Sequence, residues 1–255
     1  MGKLFWGKKA MGDVMAEVQL NVKLLNKTEN ALAVIYASCR QCYSTDFAGD
    51  IFDEAKDSED KDKIKQFVKK VISSGHESPM EHVKFTFAIE GVSRALTHQL
   101  VRHRLASYSQ QSQRYVKESD LAYIVPPAFK KDKKLYDKFV SLMDIIQKGY
   151  NEILSDLKDK GTEGEKANQD ARFVLPQASE TKIVVTMNAR ELKHFFGHRC
   201  CARAQWEIRK LANEMLEICQ KELPEVFLAL GAKCEELEFC PEGEKFTCGK
   251  YPVKK

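Results

Sequence analysis

Apolar positions in this chain first recur at helical spacing. In residues 28–42, TENALAVIYASCRQC, they return every three or four positions and predict a helix with Thr28 or Asn26 as its N-cap. A second helix is predicted over residues 61–74, where Ile64, Phe67, Val68, Val71 and Ile72 form a stripe and Gly75 occupies the C′ position. The pattern then changes to alternation in VKFTFAIEG, which predicts a strand, and returns to helical spacing in VSRALTHQLVRH. LAYIVP predicts a short strand stopped by Pro126 and Pro127. A long helix is expected from about residue 130 to 160, with Leu135, Phe139, Leu142, Ile145, Ile146, Tyr150 and Leu154 on one side. EGEKANQDARFVL predicts another helix, broken before Pro176, and TKIVVTMN is the clearest second strand. The stretch from Ala189 to Leu223 predicts one long helix or two, depending on Gly197, and the tail after Gly231 is expected to be irregular. Strands set far apart between helices, without an internal repeat, predict an α+β (mixed α/β) fold, and 255 residues suit one large domain or two small ones.

Composition narrows the class. The chain has 255 residues, 43% hydrophobic and 31% charged, which fits a globular protein with a substantial core. No apolar run approaches the roughly 20 residues that span a bilayer. The start, MGKLFWGKKAMGD, has no apolar h-region or cleavage site, and Trp6 stands where a myristoylation signal needs Ser or Thr. Cytoplasmic localisation with no membrane partner is therefore expected. Eight cysteines in such a chain are expected to remain thiols. Cys39 and Cys42 form a C-x-x-C that ends a predicted helix, which suits packing rather than redox work. The trailing Cys234, Cys240 and Cys248 lack a fourth ligand of suitable spacing for zinc. Lys+Arg 41 against Asp+Glu 37 is only a slight excess, not the footprint of a general nucleic-acid binder.

Familiar nucleotide motifs are absent: there is no G-x-G-x-x-G after a strand and no G-x-x-x-x-G-K-[ST]. His194 and His198 are spaced to share a helix face, with Cys200 and Cys201 nearby, but no carboxylate is placed as the third ligand of a hydrolytic zinc site, so no metal is expected. Residues 102–115, RHRLASYSQQSQRY, differ in kind. Arg102, Arg104 and Arg114 are bidentate donors suited to phosphate, the serines add small hydroxyls, and Gln99, Gln110, Gln111 and Gln113 offer both donors and acceptors. A loop held by internal salt bridges would need acids, yet residues 92–117 contain no Asp or Glu. An external anion, a ligand phosphate or an RNA backbone, is the better reading.

The spacing Arg102-His103-Arg104, seven residues, Ser112 resembles the R-H-R-x₇-S signature of flavin-dependent thymidylate synthases. GHESPMEHVKFTF (residues 75–87), ARFVLP (171–176) and NARELKHFFGHRCCARAQWEIR (188–209) are similar to further blocks of that family, in its order, within a core of about residues 30–225. The resemblance implies one catalytic domain over residues 1–255, a mainly antiparallel sheet flanked by long helices, and an unassigned tail at 232–255. It implies a methyltransferase that methylates dUMP at C5 to dTMP, with 5,10-methylenetetrahydrofolate as carbon donor and FAD reduced by NADPH as hydride source. FAD contacts would fall on Ser78, Arg102, His103, Arg104, Gln110, Asn188, Ala189, Arg190 and His194. Contacts to dUMP would fall on Gln99, Leu100, Val101, Arg102, Gln110, Gln111, Ser112, Gln113, Arg114, Arg172 and Arg199. His76 matches a histidine tied to folate or electron transfer. Arg199 matches the activating residue, where a permanently charged guanidinium near the uracil carbonyl suits electrostatic catalysis; its competing reading is a helix-end charge paired with Glu207 or Glu191. The family is homotetrameric with active sites between subunits. Gln110 departs from the Glu that many relatives carry. Two rivals make different demands: a nucleic-acid module using this loop predicts steep salt dependence and a broad basic face, and a folate-only thymidylate synthase needs a cysteine in its own signature, which none of these resembles.

Overall fold

The computed structural model describes residues 17–254. The readings made on MGKLFWGKKAMGD lie outside them. Among the described residues four strands, β1 (Asn21–Lys27), β2 (Lys84–Ser93), β3 (Ala106–Gln110) and β4 (Glu180–Asn188), form one sheet in the order β1-β2-β4-β3. Both β1 with β2 and β3 with β4 pair antiparallel. The helices are α1 (Ala31–Gln41), α2 (Ala48–Asp57), α3 (Lys61–Ser73), α4 (Arg94–Leu100), α5 (Pro127–Lys130), α6 (Lys133–Asp159), α7 (Glu165–Ala171), α8 (Ala189–Arg199), α9 (Trp206–Glu222), α10 (Pro224–Phe227) and α11 (Lys233–Leu237).

The chain divides into two compact units. The larger comprises Leu20–Val92, Leu96–Gln110 and residues 182–254. Its core grows from the alternation of β2, whose Phe85, Phe87 and Ile89 are buried, and from Ile183, Val185 and Met187 of β4. Phe85 meets Phe227 edge to face at 5.5 Å, and Phe196 meets the same ring at 6.1 Å. Each of these rings contributes about 1.5–3 kcal/mol by leaving water. The stripe on α3 buries Ile64 and Val68, with Phe67, Val71 and Ile72 packed partly against the core. After α3, Gly75 adopts φ +87°, the left-handed conformation that favours glycine. The smaller unit comprises residues 17–19, Ser93–Ala95 and Gln111–Thr181, with Tyr123, Val125 and Met143 at its centre.

Several expectations change. The α1 cap is Asn30 in a left-handed conformation (φ 50°), whereas Thr28 closes the β1–β2 ladder by accepting the Lys84 N–H at 2.9 Å. Helix α2 was not foreseen, because AGDIFDEAKD buries only Ile51 and Ala55. LAYIVP is no strand: only Tyr123 makes isolated bridges, to Glu17 and Ser179. The long helix expected from about 130 to 160 is α6, capped by Asp132, and the short α5 precedes it. Its expected stripe is only partly covered: Tyr150 is buried and Phe139 and Ile146 pack against the core, whereas Leu135, Leu142 and Ile145 are exposed. Gly197 lies within α8; the break falls at residues 200–205, where the Gln205 side chain accepts the N–H groups of Glu207 and Ile208 and starts α9. The tail is not wholly irregular, since it contains α11 and a bridge between Cys240 and Val253.

Candidate active site

In the larger unit the chain leaves α4 through Val101 and Arg102 and enters β3, a strand hidden from the polarity pattern by its serines. Tyr108 sets this geometry. Its hydroxyl donates to the carbonyls of Leu100 and His103, both at 2.8 Å, and burial raises its pKa. The His103 ring is thereby drawn inside, 7% exposed, with its edge toward Phe195 at 4.9 Å. Nδ1 lies 3.1 Å from Glu191 Oε1, and Nε2 lies 3.1 Å from Arg199 Nε. Both partners come from α8. Burial above all, then Arg199, His194 and His198, pushes the imidazole pKa down to about 4, so the ring is neutral at pH 7. Burial raises the Glu191 carboxyl. Glu191, one of the alternative partners expected for Arg199, thus bonds to His103, and Arg199 Nε donates to the same ring.

On either side of this buried ring, Arg102 and Arg104 are exposed, and neither forms an ion pair among the described residues. Asn188 caps α8 by accepting the Glu191 N–H at 2.8 Å, and the Ala189 N–H donates to the Val83 carbonyl at 2.8 Å. Arg190 is committed to Glu81 and Glu77, and Lys193 to Glu77 and Glu236, both at 2.6 Å. These carboxylates flank Ser78, which is exposed on a 3₁₀ turn. Gln110 donates to Thr97 Oγ1 at 3.1 Å. Gln99 is half-buried, Leu100 is buried in the core, and Val101 is exposed. His76 is partly exposed, with its ring edge-to-face on Tyr43 at 6.0 Å.

His194 and His198 do share a face of α8, their rings 4.3 Å apart. His198 is spoken for at both nitrogens, Nδ1 by the His194 carbonyl at 2.9 Å and Nε2 by Lys233 Nζ at 2.8 Å. Cys234, Cys240 and Cys248 line one small cavity with Cys201, a convergence the spacing did not reveal. Among the described residues no three His, Cys, Asp or Glu side chains form a metal site. Cys39 is buried at the end of α1, which fits packing, and burial pushes its thiol up to about 11.

The smaller unit carries the other half of RHRLASYSQQSQRY. Ser112 Oγ accepts the Arg114 N–H at 3.2 Å, and Gln111 donates to Glu118 at 3.5 Å. Gln113 is half-buried. The absence of acids near Arg114 in sequence does not hold in space: Glu165 of α7 forms an ion pair with it, and Asn168 donates to its carbonyl at 3.2 Å. Arg172 donates through Nε to the Gln169 carbonyl at 3.3 Å. Arg94, at the start of α4, is a further basic residue in this unit that the sequence reading did not single out. Burial first, then the charge of Arg172, lowers its pKa, while Glu118 acts in the opposite direction. The two guanidiniums thus oppose each other's charge, with Glu118 offsetting part of that repulsion. The signal was available, since Arg94 falls within the acid-free run of residues 92–117. Glu191 and Tyr108 were also missed, and nothing in their spacing marks them.

Comparison with known proteins shows which family the chain resembles. Residues 23–225 match the family model described as Thymidylate synthase complementing protein. The flavin-dependent thymidylate synthase of Nitratidesulfovibrio vulgaris is 52% identical over 241 residues, covering 94% of this chain and 98% of that protein. That of Clostridium tetani is 51% identical over 239 residues, covering 91% and 94%. The fold is similar to a crystal structure of the UMP/dUMP methylase PolB from Streptomyces cacaoi bound with 5-Br dUMP, with a TM-score of 0.68, 23% identity, and 84% of this chain and 96% of that one covered. With the family model and near full-length relatives in agreement, the chain belongs to the flavin-dependent thymidylate synthases.

Proposed function

We propose that this chain catalyses the reductive methylation of dUMP at C5 to dTMP, taking the carbon from 5,10-methylenetetrahydrofolate and the hydride from FAD reduced by NADPH. One observation carries the reading: the His103 ring is buried and bonded to Arg199, while Arg102 and Arg104 beside it stay exposed without carboxylate partners. Uncommitted guanidiniums fit the diphosphate of a dinucleotide. Ser78, Arg102, His103, Arg104, Gln110, Asn188, Ala189, Arg190 and His194 are assigned to FAD, with His103 contributing as the anchor between the two arginines. Bound FAD supplies the hydride. Arg190 stands apart from Arg102 and Arg104, because Glu77 and Glu81 already neutralise it.

Arg199 presents a guanidinium whose Nε is fixed by His103, which leaves its terminal nitrogens for the uracil carbonyl. There it stabilises the negative charge that builds as C5 becomes nucleophilic or C6 accepts hydride. Arg94 and Arg172 hold the dUMP phosphate. Arg114 joins them by exchanging Glu165 for the phosphate, while Ser112 keeps the Arg114 backbone in place. Gln99, Leu100, Val101, Arg102, Gln110, Gln111 and Gln113 complete the dUMP contacts, and His76 serves folate or electron transfer. Ser112 is given an orienting role only. Residues 1–255 are assigned to one catalytic domain.

The working form is a homotetramer with active sites assembled between subunits, in the cytoplasm, with no nucleic-acid or membrane partner. The exposed Leu135, Leu142 and Ile145 on α6 support a further subunit contact, and no helix among the described residues is long and apolar enough to cross a membrane. The test is tritium release from 5-tritiated dUMP with NADPH and methylenetetrahydrofolate. Release that depends on FAD is expected, and its absence from folded, flavin-loaded protein would overturn the assignment.

A further inference from the structure

His103 joins two side chains of α8 that do not join each other. Glu191 and Arg199 are eight residues apart, which separates their Cα atoms by about 12 Å along the helix axis. The imidazole spans them, with Nδ1 at 3.1 Å from Glu191 Oε1 and Nε2 at 3.1 Å from Arg199 Nε. Arginine has donors and no acceptor. Nε2 must therefore present a lone pair, and the ring proton must sit on Nδ1, where it donates to Glu191. A proton on Nε2, by tautomer change or by protonation, would set two N–H groups against each other and expel the guanidinium.

We infer that Glu191 is a positioning residue for the methylation of dUMP: by accepting the Nδ1–H of His103 it fixes the tautomer that holds Arg199 in place. The inference rests on the assignment of Arg199 to the uracil. Glu191 never touches substrate in this role; it is 6% exposed beneath the ring. The surroundings leave the ring no alternative. Tyr108 holds the His103 carbonyl, Phe195 closes one side, and the other titratable groups facing the ring, His194 and His198, are held mainly uncharged by burial.

Two full-chain, FAD-loaded variants test this, Glu191→Gln and Glu191→Leu. The amide oxygen of Gln still accepts the Nδ1–H, so kcat is expected within about threefold of the parent, whereas Leu offers no acceptor and lowers kcat about ten- to hundredfold with little change in KM for dUMP. The readout independent of turnover is the ¹⁵N spectrum of the His103 imidazole at pH 7.5. The parent and Glu191→Gln are expected to show a protonated Nδ1 and a bare Nε2, and Glu191→Leu to lose that single-tautomer signature. Parental kcat in folded Glu191→Leu, or a parental ring protonated at Nε2, overturns the inference. Should Glu191→Leu fail to fold, the parental spectrum and Glu191→Gln decide. A parent inactive on dUMP would instead sink the thymidylate reading, leaving the tautomer result intact.

Discussion

Acidification should expose the unusual state of His103 as a loss of stability. In the folded chain its pKa is pushed down from 6.5 to about 4, mainly by burial. A depressed histidine lets the unfolded chain take up a proton first, so stability is lost as pH falls from about 6.5 toward 4 and is unaffected above pH 7. Linkage between pH 7.5 and pH 5.0, with the two pKa values above, gives about 2 kcal/mol for this one ring. At 7% exposure, water screens little of it. His194 and His198 are also lowered by burial and act in the same direction, whereas Glu191 is raised and acts in the opposite one. A reference variant, His103→Asn, removes the ring while leaving these groups. Guanidinium unfolding of parent and variant, at one protein concentration and both pH values, isolates the contribution. The variant is expected to be weaker at pH 7.5 but to lose about 2 kcal/mol less on acidification. Equal losses would mean that the buried ring titrates as it does in the unfolded chain, and the account of its burial would be refuted.

Other perturbations address neighbouring parts of the argument. Arg199→Ala should lower kcat by about two to three orders of magnitude while circular dichroism shows a folded protein; parental turnover would remove Arg199 from the chemistry. Arg94→Ala should raise KM for dUMP about tenfold or more through loss of a charge-assisted phosphate bond, with FAD content unchanged; an unchanged KM would restore Arg94 to a purely structural part. Tyr108→Phe should cost about 1–3 kcal/mol, because the Leu100 and His103 carbonyls lose their shared donor; an unshifted denaturation midpoint would contradict that. Timed alkylation followed by mass spectrometry should label exposed Cys42 and Cys248 first and buried Cys39 and Cys219 last, since burial raises both buried thiols.

What could be read in advance follows the physics of each segment. Strands β2 and β4 and helix α3 announced themselves because one face of each is buried, and burial writes a period into the sequence. Strand β3 did not, because ASYSQ buries little and owes its place to the Tyr108 hydroxyl and to pairing with β4. LAYIVP misled in the other direction: its apolar run packs in the smaller unit, but it makes only isolated bridges. The α6 stripe was legible as a pattern, but its period did not say which members are covered: Tyr150 is buried while Leu135, Leu142 and Ile145 are exposed. At the site, the arginines and the R-H-R spacing were plain. The carboxylates beside them were not, because Glu165 and Glu191 reach Arg114 and His103 from α7 and α8, helices remote in sequence.

The position of β3 in the sheet has a consequence for observation. In the order β1-β2-β4-β3 it is an edge strand, held by five residue pairs to β4. Short edge strands open locally at far lower free energy than a buried centre such as β2. Amide hydrogen exchange in Ala106–Gln110 is therefore expected to be a local gauge: if FAD binds Arg102 and Arg104 as proposed, exchange in this strand slows, while the paired amides of interior β2 stay slow throughout. Binding can then be followed at single residues without any turnover at all.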